Sequence, residues 1–181
     1  LDLLNAIRDG NSKLVDFNKL NERYFPDFEP NGEAFVHLCS HNKMADSINQ
    51  KKINELKTPS FFYNASVFGD FKENMFPNDE TLELKVGAQV MFIRNDTSGD
   101  RKYYNGKLAE ISRLTEDKVF AILDGSNEEL EIKKEVWEQK KYTIGEDKQI
   151  KEEIIGSFEQ LPIRLAWAVT IHKSQGLTFD R

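Results

Sequence analysis

LPIRLAWAVTIHKSQ, residues 161–175, is the stretch on which the reading of this chain turns. Leu165 to Val169 make an apolar run of strand length, and Thr170, His172, Lys173, Ser174 and Gln175 then crowd five polar groups into six positions. A short strand that delivers a polar tip is a unit of open α/β sheets, whose ligands sit at the carboxyl ends of the strands. The same pattern occurs earlier in the chain. AFVHLCS (34–40) has the look of a buried strand, and its tip, Ser40-His41-Asn42-Lys43, leads into HNKMADSINQKKINEL (41–56). There Met44, Ile48 and Ile53 fall roughly on one helical face, with Ala45, Asn49 and Lys52 beside it. If the two strands share a sheet, both tips open on one crevice. Hydroxyls, amides, Lys, His and helix-start N–H groups are what grip phosphate oxygens. The same residue types serve equally well as helix caps, so the pattern alone leaves both readings open.

The rest of the chain sets this pair in context. Leu3, Leu4 and Ile7 share a face of a first helix that RDGN (8–11) stops, and Val15, Phe17 and Leu20 suggest a second short helix. PSFFYNASVFGDFKENMFPNDE (59–80) is aromatic, irregular and rich in turn residues. From Leu82 the period changes to short strands: LELKVGAQVMFIRND, GKLAEISRL (106–114), KVFAILD (118–124) and EELEIKKEVW (128–137), with Asn-Gly at 105–106 and Asp-Gly at 124–125 as turn signals. Four or five such strands describe a small β-barrel inserted in the α/β unit. EQKKYTIGEDKQIKEE (138–153) reads as a solvated hairpin or extended arm, after which SFEQLPIRLAWAVT (157–170) resumes apolar strand character.

Composition narrows the function classes. The chain has 181 residues, 39% of them hydrophobic, and a net charge of −6. Nucleic-acid binding through bulk positive charge is therefore disfavoured, and any such contact must come from a local groove. No apolar run approaches the roughly 18 residues of a membrane span. The N-terminus is not a signal peptide, and its lack of an initiator Met suggests a piece of a longer protein. One cysteine, Cys39, fits a reducing cytoplasm, and with three His it indicates no metal site. His37 reads as a packed or edge histidine and His41 as a loop residue. Phe61, Phe62 and Tyr63 read as core, whereas Tyr103-Tyr104 are better candidates for stacking on bases. There is no G-x-x-x-x-G-K-[ST] loop, no Asp-Glu pair after an apolar strand, and no nucleophile elbow, so the chain alone should not hydrolyse ATP.

As a whole, LPIRLAWAVTIHKSQGLTFDR (161–181) resembles motif V of superfamily 1B DNA helicases, the RecD and Pif type. LCSHNKMADSINQKKINEL (38–56) resembles motif IV and its following helix, LKVGAQVMFIRND with YYNGKLAEI resembles the opening of the SH3-like insert between the two motifs, and LLNAIRDGN (3–11) is similar to the segment after the first motor domain. The resemblance implies an α/β fold: a partial RecA-like second motor domain interrupted by an SH3-like β-barrel. It divides the chain into motor domain (1–80), insert with its charged arm (81–156), and returning strand with motif V (157–181). It implies an ATP-dependent 5′-to-3′ helicase that acts on single-stranded DNA. ATP and Mg²⁺ would be held mainly by a first RecA-like motor domain absent from this stretch, and none would be bound here. By the same resemblance Ser40, Asn42, Lys43, Thr170, His172 and Lys173 contact the strand's backbone, while Gln175, Gly176 and Thr178 face the nucleotide cleft. Thr178 stands where the related 3′-to-5′ enzymes carry a ribose-gripping Glu, so no carboxylate grip is expected. Two alternatives remain beside this reading: a non-catalytic SH3-like binding module, and a subunit of a recombination nuclease.

Overall fold

The computed structural model describes residues 2–11, 13, 15–27, 35–144 and 149–175. It divides into two compact units, residues 1–33 and 34–181.

In the first unit, helix α1 (Asp2–Arg8) ends at Gly10, whose φ of 66° is a left-handed conformation that glycine adopts without strain. Helix α2 (Phe17–Asn21) is capped by Asp16, whose carboxylate accepts from the N–H groups of Asn18 and Lys19, both at 3.1 Å. Ala6 is the buried hydrophobic of this unit among its described residues, and Leu4, Phe17, Tyr24 and Phe25 are exposed.

The second unit begins with strand β1 (His37–Cys39) and helix α3 (Asn42–Glu55). Then follow β2 (Phe61–Asn64), β3 (Ser66–Gly69), β4 (Thr81–Leu84), β5 (Gln89–Phe92), β6 (Leu108–Leu114), β7 (Val119–Leu123) and β8 (Glu129–Ile132). The long β9 (Glu135–Ile144) and β10 (Ile150–Gln160) precede β11 (Ile163–Leu165), β12 (Ala168–Thr170) and the single turn α4 (Ile171–Ser174).

β1 and β12 do share a sheet. They pair in parallel, Cys39 opposite Thr170, so their carboxyl ends lie side by side. α3 covers them through Ala45, which packs with Cys39 and Ala168, with Ile48 against the cluster. The buried side of α3 therefore runs through Ala45, Ile48 and Ile53, and Met44 points outward at 57% exposure. The expected face was off by one position: a small residue at 45 lets the helix lie close to two short strands, which a methionine would hold away. β1 is also less buried than AFVHLCS suggested, since Leu38 is 52% exposed.

The five-stranded antiparallel sheet runs β11-β5-β6-β7-β8, and the two-stranded sheet β2-β4 packs on the same core. That core gathers Tyr63, Leu82 and Leu84 from one sheet and Val90, Phe92, Ile111, Val119 and Ile163 from the other. In β6 the inward alternation passes from Ala109 and Ile111 to Leu114 because a bulge after Ile111 inserts a residue. The five-stranded ladder is open: no pairing joins β8 to β11 among the described residues, and the closed barrel expected from this segment is not seen. Two strands that belong to this core, β2 and β11, lie in stretches read as irregular or as part of the α/β unit.

β3, β10 and β9 form a third sheet. EELEIKKEVW is thus not one strand: β8 ends at Ile132 and β9 begins at Glu135, in different sheets. The described residues of the charged segment, 138–144 and 149–153, belong to the outer part of the β9–β10 pair, with Lys140 bonded to Glu152 at 3.1 Å, and 145–148 lie outside the described residues. At its inner end Phe158 packs on Phe76, ring centroids 4.7 Å apart, with Phe71 and Trp137 around it.

Candidate nucleic-acid interface

The run LPIRLAWAV is two strands rather than one. β11 belongs to the five-stranded sheet, the chain crosses at Ala166-Trp167, and β12 joins β1. Gln89 fixes the crossing: its side-chain Nε2 donates to Ala166 O at 2.7 Å and to Phe35 O at 2.8 Å, and its backbone carbonyl accepts from Ala166 N at 3.0 Å. Asn49 of α3 then clamps β12, donating to Ala168 O and accepting from Ala168 N, both at 2.9 Å. This paired amide bond sets the height of β12 against the helix and hence where Thr170 emerges.

Both polar tips reach the same end of the parallel pair. Ser40 is exposed just past β1, its Oγ hydrogen-bonded to His41 Nδ1 at 2.8 Å. His41 is the N-cap of α3 without a side-chain cap bond, and Asn42 and Lys43 open the helix, exposed. Across from them Thr170 is 5% exposed and starts α4, also without using its side chain as a cap. The cap reading of these polar tips thus has no support from Thr170 or His41. His172 and Lys173 follow on the exposed turn, and Ser174 turns its hydroxyl back to Ile171 O at 2.8 Å.

Asn42, Thr170 and Lys173 line a cleft of about 730 Å³ between this tip and the 76–83 segment. Ser40, Lys43, His172 and Gln175 do not line it. Gln175 is exposed at the end of α4, whereas Gly176 and Thr178 lie outside the described residues. Burial pushes the Lys173 ammonium below the ordinary lysine range, and the nearby Arg164 pushes it further; Asp46 and Asp79 work the other way. Arg164 is itself lowered by burial, with Asp79 and Asp46 opposing.

Sequence reasoning missed several residues that build this site. Arg164 donates to Pro77 O at 2.8 Å from the cleft wall. Asn78 donates to Leu161 O and Ile163 O at 3.0 and 2.8 Å. Gln160, with no exposed surface, donates to Tyr63 O, Asp79 O and Glu80 O and accepts from Leu161 N. The available signal was a polar residue interrupting an apolar run, without any hint of its distant backbone partners. For stacking, the pair 103–104 divides: Tyr103 lies flat on Phe92 with centroids 3.9 Å apart, and Tyr104 is 55% exposed. Tyr63 is core as expected, but Phe62 is 60% exposed at the cleft.

No family model matches the chain. Individual proteins do. The ATP-dependent DNA helicase Pif1 of Campylobacter jejuni is 30% identical over 98% of this chain, and the chain spans 42% of that protein. For PIF1 of Xenopus laevis the identity is 30% over 99% of the chain and 28% of the relative. The chain is homologous to a segment of the Pif1 helicases. Bacteroides Pif1 in complex with ADP-AlF4 superposes with a TM-score of 0.84 at 33% identity, covering 99% of this chain and 41% of that one. Bacteroides Pif1 bound to ssDNA gives 0.72 at 32% identity, with the same coverage. The Pif1-like similarity takes in both strand tips and everything between them, which disfavours the reading as a stand-alone binding module. The chain spans less than half the length of each of these relatives. Among the described residues no helix is long and apolar enough to cross a membrane.

Proposed function

We propose that this chain works as part of an ATP-dependent 5′-to-3′ DNA helicase, holding the backbone of a single strand at the joined tips of β1 and β12. The observation that carries this reading is the parallel register of the two strands, which sets Ser40 to Lys43 beside Thr170 to Lys173. Ser40 and Asn42 offer neutral donors, Lys43 and Lys173 offer charge, and Thr170 and His172 complete the row. Groups of this kind recognise phosphate and sugar without reading bases, as a motor stepping along any sequence requires. The grip uses local groups, so it is compatible with the net charge of −6.

Gln175, Gly176 and Thr178 would pass strand movement to the nucleotide cleft. The residues of this chain do not themselves make a nucleotide site: the phosphate loop and the magnesium carboxylates are not in its sequence. ATP and Mg²⁺ would be held mainly by a first motor domain, against which this one closes. We take 1–80 and 157–181 as parts of the second motor domain and 81–156 as an SH3-like insert, to which β2 and β11 contribute from the flanks. The buried thiol of Cys39 fits action in a reducing cytoplasm.

The test is DNA-stimulated ATP hydrolysis and unwinding by the whole helicase carrying Thr170→Ala or Lys173→Ala. Losing a charge-assisted phosphate contact should weaken strand binding by about tenfold and lower both activities at limiting DNA. Unchanged activities would overturn the assigned roles.

A further inference from the structure

Arg164 is a charged group of the cleft that the functional reading leaves without a task. It stands in the middle of β11, opposite Met91, and lines the cleft together with Lys173, Asn42 and Thr170. Its guanidinium donates to Pro77 O, and its Nε is buried with no hydrogen-bond partner among the described residues. No carboxylate comes within ion-pair distance of Arg164 or Lys173 among the described residues. Arg164, half-buried on the cleft wall, and Lys173, on the exposed turn, are neighbouring cations that repel each other, and Asp46 and Asp79 offset that repulsion only from beyond ion-pair distance. An anion set between them relieves that repulsion through charge-assisted hydrogen bonds.

We propose that Arg164 and Lys173 together seat one backbone phosphate of a single strand, with Asn42 and Thr170 as neutral donors beside it. This rests on the single-strand reading above and extends it to a residue on the neighbouring sheet. A guanidinium suits the role because its planar donors match two phosphate oxygens at once. The rest of the cleft carries Asp46, Glu73, Asp79, Glu80 and Glu83. Those carboxylates repel further phosphates, so the seat takes one linkage and rejects a duplex or a polyphosphate laid along the cleft.

The test measures affinity of the 181-residue chain for a fluorescent oligo-dT strand. Arg164→Gln should weaken binding about tenfold, and Arg164→Lys, which keeps the charge but not the planar pair of donors, should restore only part of it. Because both cations hold one phosphate, the Arg164→Gln and Lys173→Ala losses should be less than additive in the double variant. An unchanged affinity in Arg164→Gln, or fully additive losses, would overturn the seat and leave the functional reading standing. No binding of oligo-dT by the wild type would overturn both. If Arg164→Gln does not fold, the wild-type Arg164 Nε–H resonance, assigned by its absence in Arg164→Lys, decides. It should shift on adding oligo-dT, and an unmoved resonance overturns the proposal.

Discussion

At the scale of single residues, three buried or half-buried amides do most to place the site. Gln160 ties β10 to the backbone of β2 and of the 79–80 segment, and Asn78 ties that segment to Leu161 and Ile163. Replacing Gln160 with Leu keeps the volume but removes its bonds to three carbonyls and to the Leu161 N–H, of which the Glu80 carbonyl keeps a second donor in Ala65 N at 2.7 Å. The expected loss is about 3 kcal/mol, read from urea unfolding. A loss under about 0.5 kcal/mol would mean that the cleft wall does not depend on this amide. Asn49→Ala should cost about 1 to 2 kcal/mol and also weaken strand binding, because β12 loses the clamp that sets the height of Thr170. The polar tips themselves were legible in the sequence, since Ser40-His41-Asn42-Lys43 and Thr170 to Gln175 stand out against apolar neighbours. Gln160 and Arg164 were not legible: their partners are backbone carbonyls 80 or more residues away, and no local pattern announces such a bond.

At the scale of elements, length and periodicity were readable where one sheet owns a segment. α3, β6 and β7 appear where the sequence placed them. They fail where the chain changes sheet within a continuous apolar or charged run, as at Ala166-Trp167 and Lys133-Lys134. A switch of sheet there costs one or two residues and leaves hydrophobicity unchanged, so periodicity cannot register it. The aromatic stretch 59–80 hid β2 and β3 for a different reason: their exposed Phe62 and Phe68 break the alternation of buried and solvent-facing residues. Gly156 marks the bulge where β10 bends against the 70–71 backbone. A Cβ there would come within 2.6 Å of the Asp70 carbonyl carbon and 2.9 Å of Phe71 N. Backbone on both sides leaves little room to yield, so Gly156→Ala should destabilise by about 2 kcal/mol. A melting temperature equal to the wild type's would show that the bulge can relax.

At the scale of the whole molecule, one shared core makes the β-rich part respond to alkali as a unit. Tyr63 donates its hydroxyl to Thr115 O at 2.6 Å, and burial, with Asp117 nearby, pushes its pKa up from 10.0 to about 12. The folded state keeps this proton while the unfolded chain loses it. Stability is therefore intact below about pH 10 and falls between 10 and about 12, with a Tyr63 contribution near 1.4 kcal/mol per pH unit. Tyr63→Phe should lower the slope of the stability–pH curve across that window, leaving the part due to Tyr103, which burial also raises to about 12; an unchanged slope would contradict the assignment. The net charge of −6 bears on the proposed grip as well: within this chain, attraction for a strand would come from the β1–β12 tip and the neighbouring Arg164, with few phosphates engaged. The most direct measurement is the affinity of the chain for an oligo-dT strand as a function of salt. About three backbone contacts predict a log–log slope near −2, with Lys173→Ala shallower and weaker. A slope near zero, or a Lys173→Ala variant indistinguishable from the wild type, would contradict a phosphate grip at this tip.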